Sequence, residues 1–407
     1  MHFFATCAKG TEGALRRELT GLHLAGVKGD HGGVTFEGPL EAGMRACLHS
    51  RTAMRILVEL ARFEAPTPEA LYEGARTVAW QEWLTVRTTL AVEATVTSSA
   101  ITHSGFAALK VKDAAVDVLR ERLGARPDVD AKDPDVRIVL HLNRDAAALS
   151  LDLAGAPLHR RGYRAITTEA PLKETLGAAV LLLGQVSTEL PFVDPMAGSG
   201  TLPIEHVLRA RRIAPGRSRA FGFQRWPAYR GEPQSAWDRL RAEARAAVLP
   251  RAPAPVLARD GHPKAVEAMR RNIAAAGLGA DIQLVQADAR DLEPIAAEGT
   301  LCSNPPYGER MGGGRAGRPS SEDAIEARPD PIVAKKLVGF YRGLAEMLER
   351  HTGWTGVLLS GNPLLQRAIP LRPEVDHRLW NGPLEIHLLK YRLGPAGGPK
   401  ARGKPSR

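Results

Sequence analysis

Apolar and polar positions divide the chain into two stretches with different rhythms. Before Pro157, short alternating runs interleave with runs spaced three or four apart. Phe3 to Cys7 reads as a strand, and Thr11 as the cap of a helix that puts Leu15, Leu19 and Leu22 on one face. Gly32-Gly33 turns into a strand at Val34 to Phe36, an amphipathic segment runs from Pro39 to His49, and Ile56 to Leu60 reads as a further strand. The run LAVEATVT, Leu90 to Thr97, alternates as a half-buried strand does. A helix from Ala107 to Leu123 follows, with Leu109, Ala115, Val116 and Leu119 as its apolar side. Val136 to Leu142 and Ala148 to Leu153 read as two more strands. This interleaving predicts small α+β domains over residues 1–65 and 66–157.

Beyond Pro157 the elements alternate regularly. Leu172, Leu176, Val180 and Leu183 mark a helix, and an apolar strand then ends at Asp194. A helix starts after Gly200, and the strand Val256 to Ala258 ends near Asp260. Pro263 opens a helix carrying Val266, Met269 and Ile273, closed by Gly277. Strands at Ile282 to Val285 and Thr300 to Ser303 precede a long helix through Leu337, Phe340, Tyr341, Leu344 and Leu348. Trp354 to Leu359 is the next strand, and Asn381-Gly382-Pro383 joins a closing hairpin, Val375 to Trp380 and Leu384 to Leu393. Strands alternating with helices make a parallel α/β sheet, here with an antiparallel end. The predicted domain covers 158–393, followed by a basic tail at 394–407 expected to be disordered. The Gly/Pro/Ser-rich insert 313–330 is also expected to be disordered.

Composition changes this picture modestly. The 407 residues carry 55 Lys+Arg against 45 Asp+Glu, a net charge of +10 that suits a polyanionic partner. Cys7, Cys47 and Cys302 are scattered without metal spacing, and the twelve histidines show no ligand pairing. No metal site is therefore expected. The N-terminus lacks the charged and apolar regions of a signal peptide. The longest apolar run, around Leu176 to Val186, is far short of a membrane span of about 20 residues. A cytoplasmic protein with no membrane partner, monomeric, is the expectation.

The chemistry gathers at strand ends. Asp194-Pro195-Met196-Ala197-Gly198-Ser199-Gly200-Thr201 follows a strand and opens a helix, a turn where backbone approaches a ligand closely. Neither a full dinucleotide fingerprint nor a Walker A lysine is present, since Pro203 stands where a third glycine would be. Asp260 ends the second strand of this unit, Asp288 the third and Asn304 the fourth, so four polar residues converge on one sheet edge. After the last comes SNPPYGER. The two prolines end the strand in a stiff shape whose carbonyls remain acceptors. Asn304 and the Pro305 carbonyl can take the two N–H bonds of an exocyclic amine, Pro306 stiffens the turn, and Tyr307 offers a ring to a flipped base.

By these segments the C-terminal part resembles a class I S-adenosylmethionine-dependent methyltransferase of the amino-methylating type, with a Rossmann-like fold and mixed sheet. DPMAGSGT is similar to its first cofactor motif, RDGHP to its acidic loop and SNPPYGER to its catalytic motif. The resemblance is closer to bacterial large-subunit rRNA guanine-N2 methyltransferases that carry a ferredoxin-like region and a THUMP RNA-binding domain. ATCAKGTEGALRREL, SGFAALKVKDAAVDVLRERLG, LHRRGYR, APLKETLGAAVLL and LWNGPLEIHLLKY support it. The resemblance implies that S-adenosylmethionine meets Asp194, Pro195, Ala197, Gly198, Ser199 and Gly200 at its methionine side. It places Asp260 at the ribose, Asp288 and Ala289 at the adenine, and Pro171, Leu172 and Lys173 as a cover, with Asn304 alongside. Asn304, Pro305, Pro306 and Tyr307 would hold the guanine. Arg160, Arg161, Tyr163 and Arg164, with Lys110 and Lys112, would lie near RNA. That RNA would be 23S rRNA or a pre-ribosomal particle, with tRNA as the alternative. A DNA adenine-N6 methyltransferase and a non-catalytic assembly factor are the remaining readings. Where relatives often have a second acid, this chain has His262, which leaves Asp260 alone in its loop. Some relatives carry a second methylating domain, so one activity is the expectation here.

Overall fold

The computed structural model describes residues 1–166, 171–307 and 331–394. Residues 308–310 of SNPPYGER, the insert 313–330 and the tail after 394 lie outside the described residues. The chain divides into two compact units, residues 1–161 with 214–248, and residues 162–213 with those from 249 onward.

The first unit begins with β1 (His2–Thr6), α1 (Glu12–Gly21), β2 (Ala25–Asp30), β3 (Gly33–Glu37), α2 (Leu40–His49) and β4 (Arg55–Glu64). It continues with α3 (Pro68–Arg76), β5 (Leu90–Thr97), α4 (Ser104–Leu123), β6 (Val136–Asn143) and β7 (Ala146–Asp152). One seven-stranded sheet, ordered β2-β3-β1-β4-β7-β6-β5, runs through all of it. The reason is the ten-residue β4, which pairs with β1 over Arg55 to Val58 and with β7 from Leu57 to Glu64. The two small regions expected as separate domains therefore share a sheet. Thr11 stands at the start of α1 but makes no side-chain cap: its hydroxyl donates back to the Ala8 carbonyl at 2.7 Å. In α4 the buried residues are Ala107, Val111, Ala114, Ala115, Val116, Val118 and Leu119, whereas Leu109, expected among them, is 55% exposed.

The second unit opens with α5 (Glu174–Leu183), β8 (Phe192–Asp194) and α6 (Thr201–Ala210). The chain then leaves it. Residues 214–248, expected within the 158–393 domain, pack instead in the first unit, carrying α7 (Glu232–Ala246). The cause is apolar: Phe221, Phe223, Trp226 and Trp237 are buried in the same core as Trp80, Trp83 and the sheet residues Val58 and Leu149. Trp226 meets Trp83 edge-on at 5.6 Å.

After this excursion come β9 (Val256–Asp260), α8 (Pro263–Ala276), β10 (Ile282–Gln286), β11 (Thr300–Ser303), α9 (Pro331–Arg350), β12 (Thr355–Ser360), α10 (Pro363–Ala368), β13 (Val375–Asn381) and β14 (Leu384–Arg392). The sheet runs β10-β9-β8-β11-β12-β14-β13, parallel through β12 and antiparallel at β14 and β13. Strand order reverses at β8, where β9 lies on one side and β11 on the other. Open α/β sheets bind ligands outside the carboxyl ends of the strands at such a reversal. No helix among the described residues is long and apolar enough to cross a membrane.

Candidate active site

β8 ends at Asp194, whose carboxylate is buried. Ser303, the last residue of β11, donates its hydroxyl to Asp194 Oδ1 at 2.6 Å, and the Met196 N–H donates to the same oxygen at 3.1 Å. Burial pushes the Asp194 carboxyl up to about 7, against the pull of those two hydrogen bonds. The turn beyond it needs glycine at position 200. Its φ is +87°, and a Cβ there would lie 3.0 Å from Met269 Cγ. The Gly198 N–H donates to Asp260 Oδ2 at 2.9 Å, while Asp260 Oδ1 accepts the His262 N–H at 2.9 Å. Asp260 thus anchors the turn as well as standing at its strand end, and His262 serves as N-cap of α8.

Pro171, Leu172, Asp194, Ala197, Gly198, Ser199 and Asn304 surround one cavity, to which the structure adds Met196, Thr201 and Leu202. Pro195, Lys173 and Gly200 flank it without lining it, Lys173 being exposed at the start of α5. Asp288 and Ala289 lie at the end of β10, outside the cavity lining. There the Asp288 carboxylate accepts from Arg290 Nε at 2.9 Å and Nη2 at 2.6 Å, and this hydrogen bonding holds it below the usual carboxylate range.

Beyond β11, two carbonyls of the Asn304–Tyr307 rim are tied back. Tyr341, buried in α9, donates its hydroxyl to the Pro306 carbonyl at 2.6 Å. Asn362 Nδ2 donates to the Tyr307 carbonyl at 3.0 Å while its Oδ1 caps α10 at the Leu364 N–H. The Tyr307 ring lies so close to Gly361 that a Cβ there would sit 2.8 Å from the ring's Cδ2. The Tyr307 hydroxyl donates to Asn304 Oδ1. Tyr341, Gly361 and Asn362 were not legible in sequence as site residues. An Asn followed by Pro after a strand signals a capped helix, and only the fold brings that cap to the rim.

The residues expected near RNA separate. Arg160 is exposed. Arg161 is buried, with its guanidinium donating to the Leu158 and Arg51 carbonyls, and Tyr163 is buried with its hydroxyl on Glu205 Oε1 at 3.0 Å. Neither side chain offers a surface to RNA, because each satisfies buried acceptors. Arg164 also points inward, onto Glu174 and the glycine turn. On α4, Lys110 lies 5.6 Å over the exposed Phe106 ring, and Lys112 pairs with Asp113 at 2.8 Å.

Residues 161–319 match the RMKL-like methyltransferase domain profile, 65–152 the THUMP domain, and 2–57 the ferredoxin-like domain of RlmL. The chain is 42% identical over 404 residues to the ribosomal RNA large subunit methyltransferase K/L of Syntrophotalea carbinolica, covering 96% of this chain and 53% of that one. It is 37% identical over 393 residues to a putative RNA methyltransferase of Synechocystis, covering 96% of both. It spans about half the length of the K/L relatives it matches. Among solved structures, a putative methyltransferase complexed with SAH (SMU.472) matches with a TM-score of 0.84 at 28% identity, covering 96% of this chain and 98% of that one. The chain belongs to the THUMP-containing, RMKL-like methyltransferase family.

Proposed function

We propose that this chain transfers a methyl group from S-adenosylmethionine to the exocyclic N2 amine of a guanine in RNA, with 23S rRNA as substrate. One observation carries the reading. The rim Asn304–Tyr307 meets the cavity of the glycine turn at Asn304, with the Pro306 and Tyr307 carbonyls tied back. Asn304 Oδ1, which also accepts the Tyr307 hydroxyl, and the Pro305 carbonyl are therefore the acceptors assigned to an amine. The residues suit S-adenosylmethionine: the cavity offers a positive-φ glycine turn and a buried carboxylate for an ammonium, and Asp260, outside the cavity lining, stands at the neighbouring strand end toward a ribose. That cofactor supplies an electrophilic methyl group.

A nucleobase amine is a weak nucleophile because its lone pair is delocalised into the ring. Accepting its two N–H bonds at Asn304 and Pro305 orients it and favours pyramidal nitrogen. Tyr307 stacks the base, and no side chain has to act as a base before attack. The gain comes from proximity and orientation. Asp288 is assigned to the adenine, and Arg160, Lys110 and Lys112 to phosphate contacts. The supporting grounds for RNA are the THUMP match and the relatives' names. A cytoplasmic monomer without a metal remains part of this reading. The test is to map methylated guanines in a deletion strain. Loss of one N2-methylguanine from 23S rRNA is expected, and loss from tRNA alone would overturn the rRNA assignment.

A pH dependence follows from Asp194. Its folded-state pKa lies above the unfolded value, so the stability it contributes is present at low pH and lost as pH rises through about 7. An ammonium placed beside it favours the carboxylate. Binding of S-adenosylhomocysteine below pH 7 should therefore release a proton, and affinity should rise up to about tenfold per pH unit between about pH 5 and 7. Calorimetry at pH 6 in two buffers of different ionisation heat measures the proton, and zero net release would refute the pairing.

A further inference from the structure

Arg164 grips the cavity from behind. Its side chain is 15% exposed, and its guanidinium reaches three segments at once. Nε donates to Glu174 Oε1 at 2.7 Å, in the first turn of α5. Nη2 donates to the Leu172 carbonyl at 3.0 Å and to Thr201 Oγ1 at 3.1 Å, and Nη1 donates to Ser199 Oγ at 3.2 Å. Leu172, Ser199 and Thr201 all line the cavity, and Arg164 does not. Beside it, Asn272 Nδ2 donates to the Ser199 carbonyl at 2.9 Å while Asn272 Oδ1 accepts the Ile166 N–H at 3.1 Å. The connector is sewn to the back of the glycine turn.

We infer that Arg164 is a positioning residue for the methionine half of S-adenosylmethionine, because it sets the gap between the cover at 171–173 and the turn at 198–200. This rests on the reading of the cavity given above. Only a planar fork with several fixed donors serves carbonyl, hydroxyls and carboxylate together; a lysine ammonium on a flexible stem does not. A binding site whose supporting contacts loosen by about 1 Å loses function while its lining residues stay in place.

Arg164→Lys tests this, since it keeps a positive charge beside the buried Glu174 and gives up the fork. Calorimetry compares S-adenosylhomocysteine with adenosine, which lacks the homocysteine half. The variant is expected to bind S-adenosylhomocysteine about tenfold more weakly than the parent and adenosine within about twofold of it. Ser199→Ala, which removes one arm of the grip and leaves the Arg164–Glu174 pair, is expected to weaken S-adenosylhomocysteine alone by a smaller factor. If Arg164→Lys does not fold, Glu174→Gln, which weakens the grip from outside the cavity lining, decides by the same comparison of S-adenosylhomocysteine with adenosine. Parent-like affinity for S-adenosylhomocysteine in the folded variants overturns the positioning role, as does an equal loss for both compounds. Failure of the parent to bind S-adenosylhomocysteine would instead sink the cofactor reading, and the inference with it.

Discussion

Asn304→Ala should lower the rate of methyl transfer by about 10²–10³, the magnitude seen when one preorganised polar contact to a reacting group is removed. The structure makes the expectation sharper than the motif does. Of the carbonyls in the rim, that of Pro306 is bound by Tyr341 and that of Tyr307 by Asn362, so those two cannot replace the lost acceptor without breaking a brace. Asn304 follows β11 and is only part-buried, so the fold should survive. The Tyr307 hydroxyl rests on Asn304 Oδ1, and removing it as Tyr307→Phe frees that oxygen; most activity should remain. Tyr307→Ala should weaken capture of the base by about 1–3 kcal/mol, the usual contribution of stacking. Single-turnover methylation with saturating cofactor and RNA separates these effects. Parent-like transfer by Asn304→Ala would reduce the rim to a structural corner.

The strand ends were legible because parallel strands buried on both faces read as apolar runs, and a polar residue closing such a run stands out. Asp194, Asp260 and Asn304 close buried strands in this way; Asp288 follows the edge strand β10, where only Ile282 is buried, and the antiparallel hairpin is announced instead by its Asn381-Gly382 turn. What sequence missed lacks a burial signal of its own. β2, AGVKGD, is an exposed edge strand with almost no buried position. The β6–β7 hairpin turns on Arg144-Asp145, both at positive φ with no glycine to announce it. The basic connector LHRRGYR reads as a solvated linker, yet Arg161, Tyr163 and Arg164 turn inward because buried carbonyls and carboxylates await them. Local composition cannot report a partner that is distant in sequence. The excursion 214–248 is the same case on a larger scale: Trp226 and Trp237 are plainly core residues, and nothing local says whose core they join.

That excursion sets the second large expectation. Trp237→Ala should destabilise the first unit by about 3–5 kcal/mol, as truncation of a buried tryptophan does. Trp237 is 2% exposed and meets Phe221 and Phe223 edge-on at 5.4 and 5.1 Å, so the hole would open where the excursion joins the sheet's core. Trp237→Phe should be far milder. It keeps an aromatic ring and removes an indole N–H that finds no acceptor among the described residues, a buried donor that itself costs about 1–3 kcal/mol. The same reasoning predicts that residues 1–161 alone do not reach native stability, because four buried aromatics of their core are supplied from 214–248. Two units need not unfold together, so a single melting midpoint is the wrong readout. Hydrogen exchange resolved by peptide is the right one. Trp237→Ala should lose protection in β4, β6 and β7 while peptides of β8, β9 and β11 keep theirs. If protection in the first unit is unchanged, or if residues 1–161 fold alone with native protection, the excursion is an ornament on that core and its aromatics carry no stability.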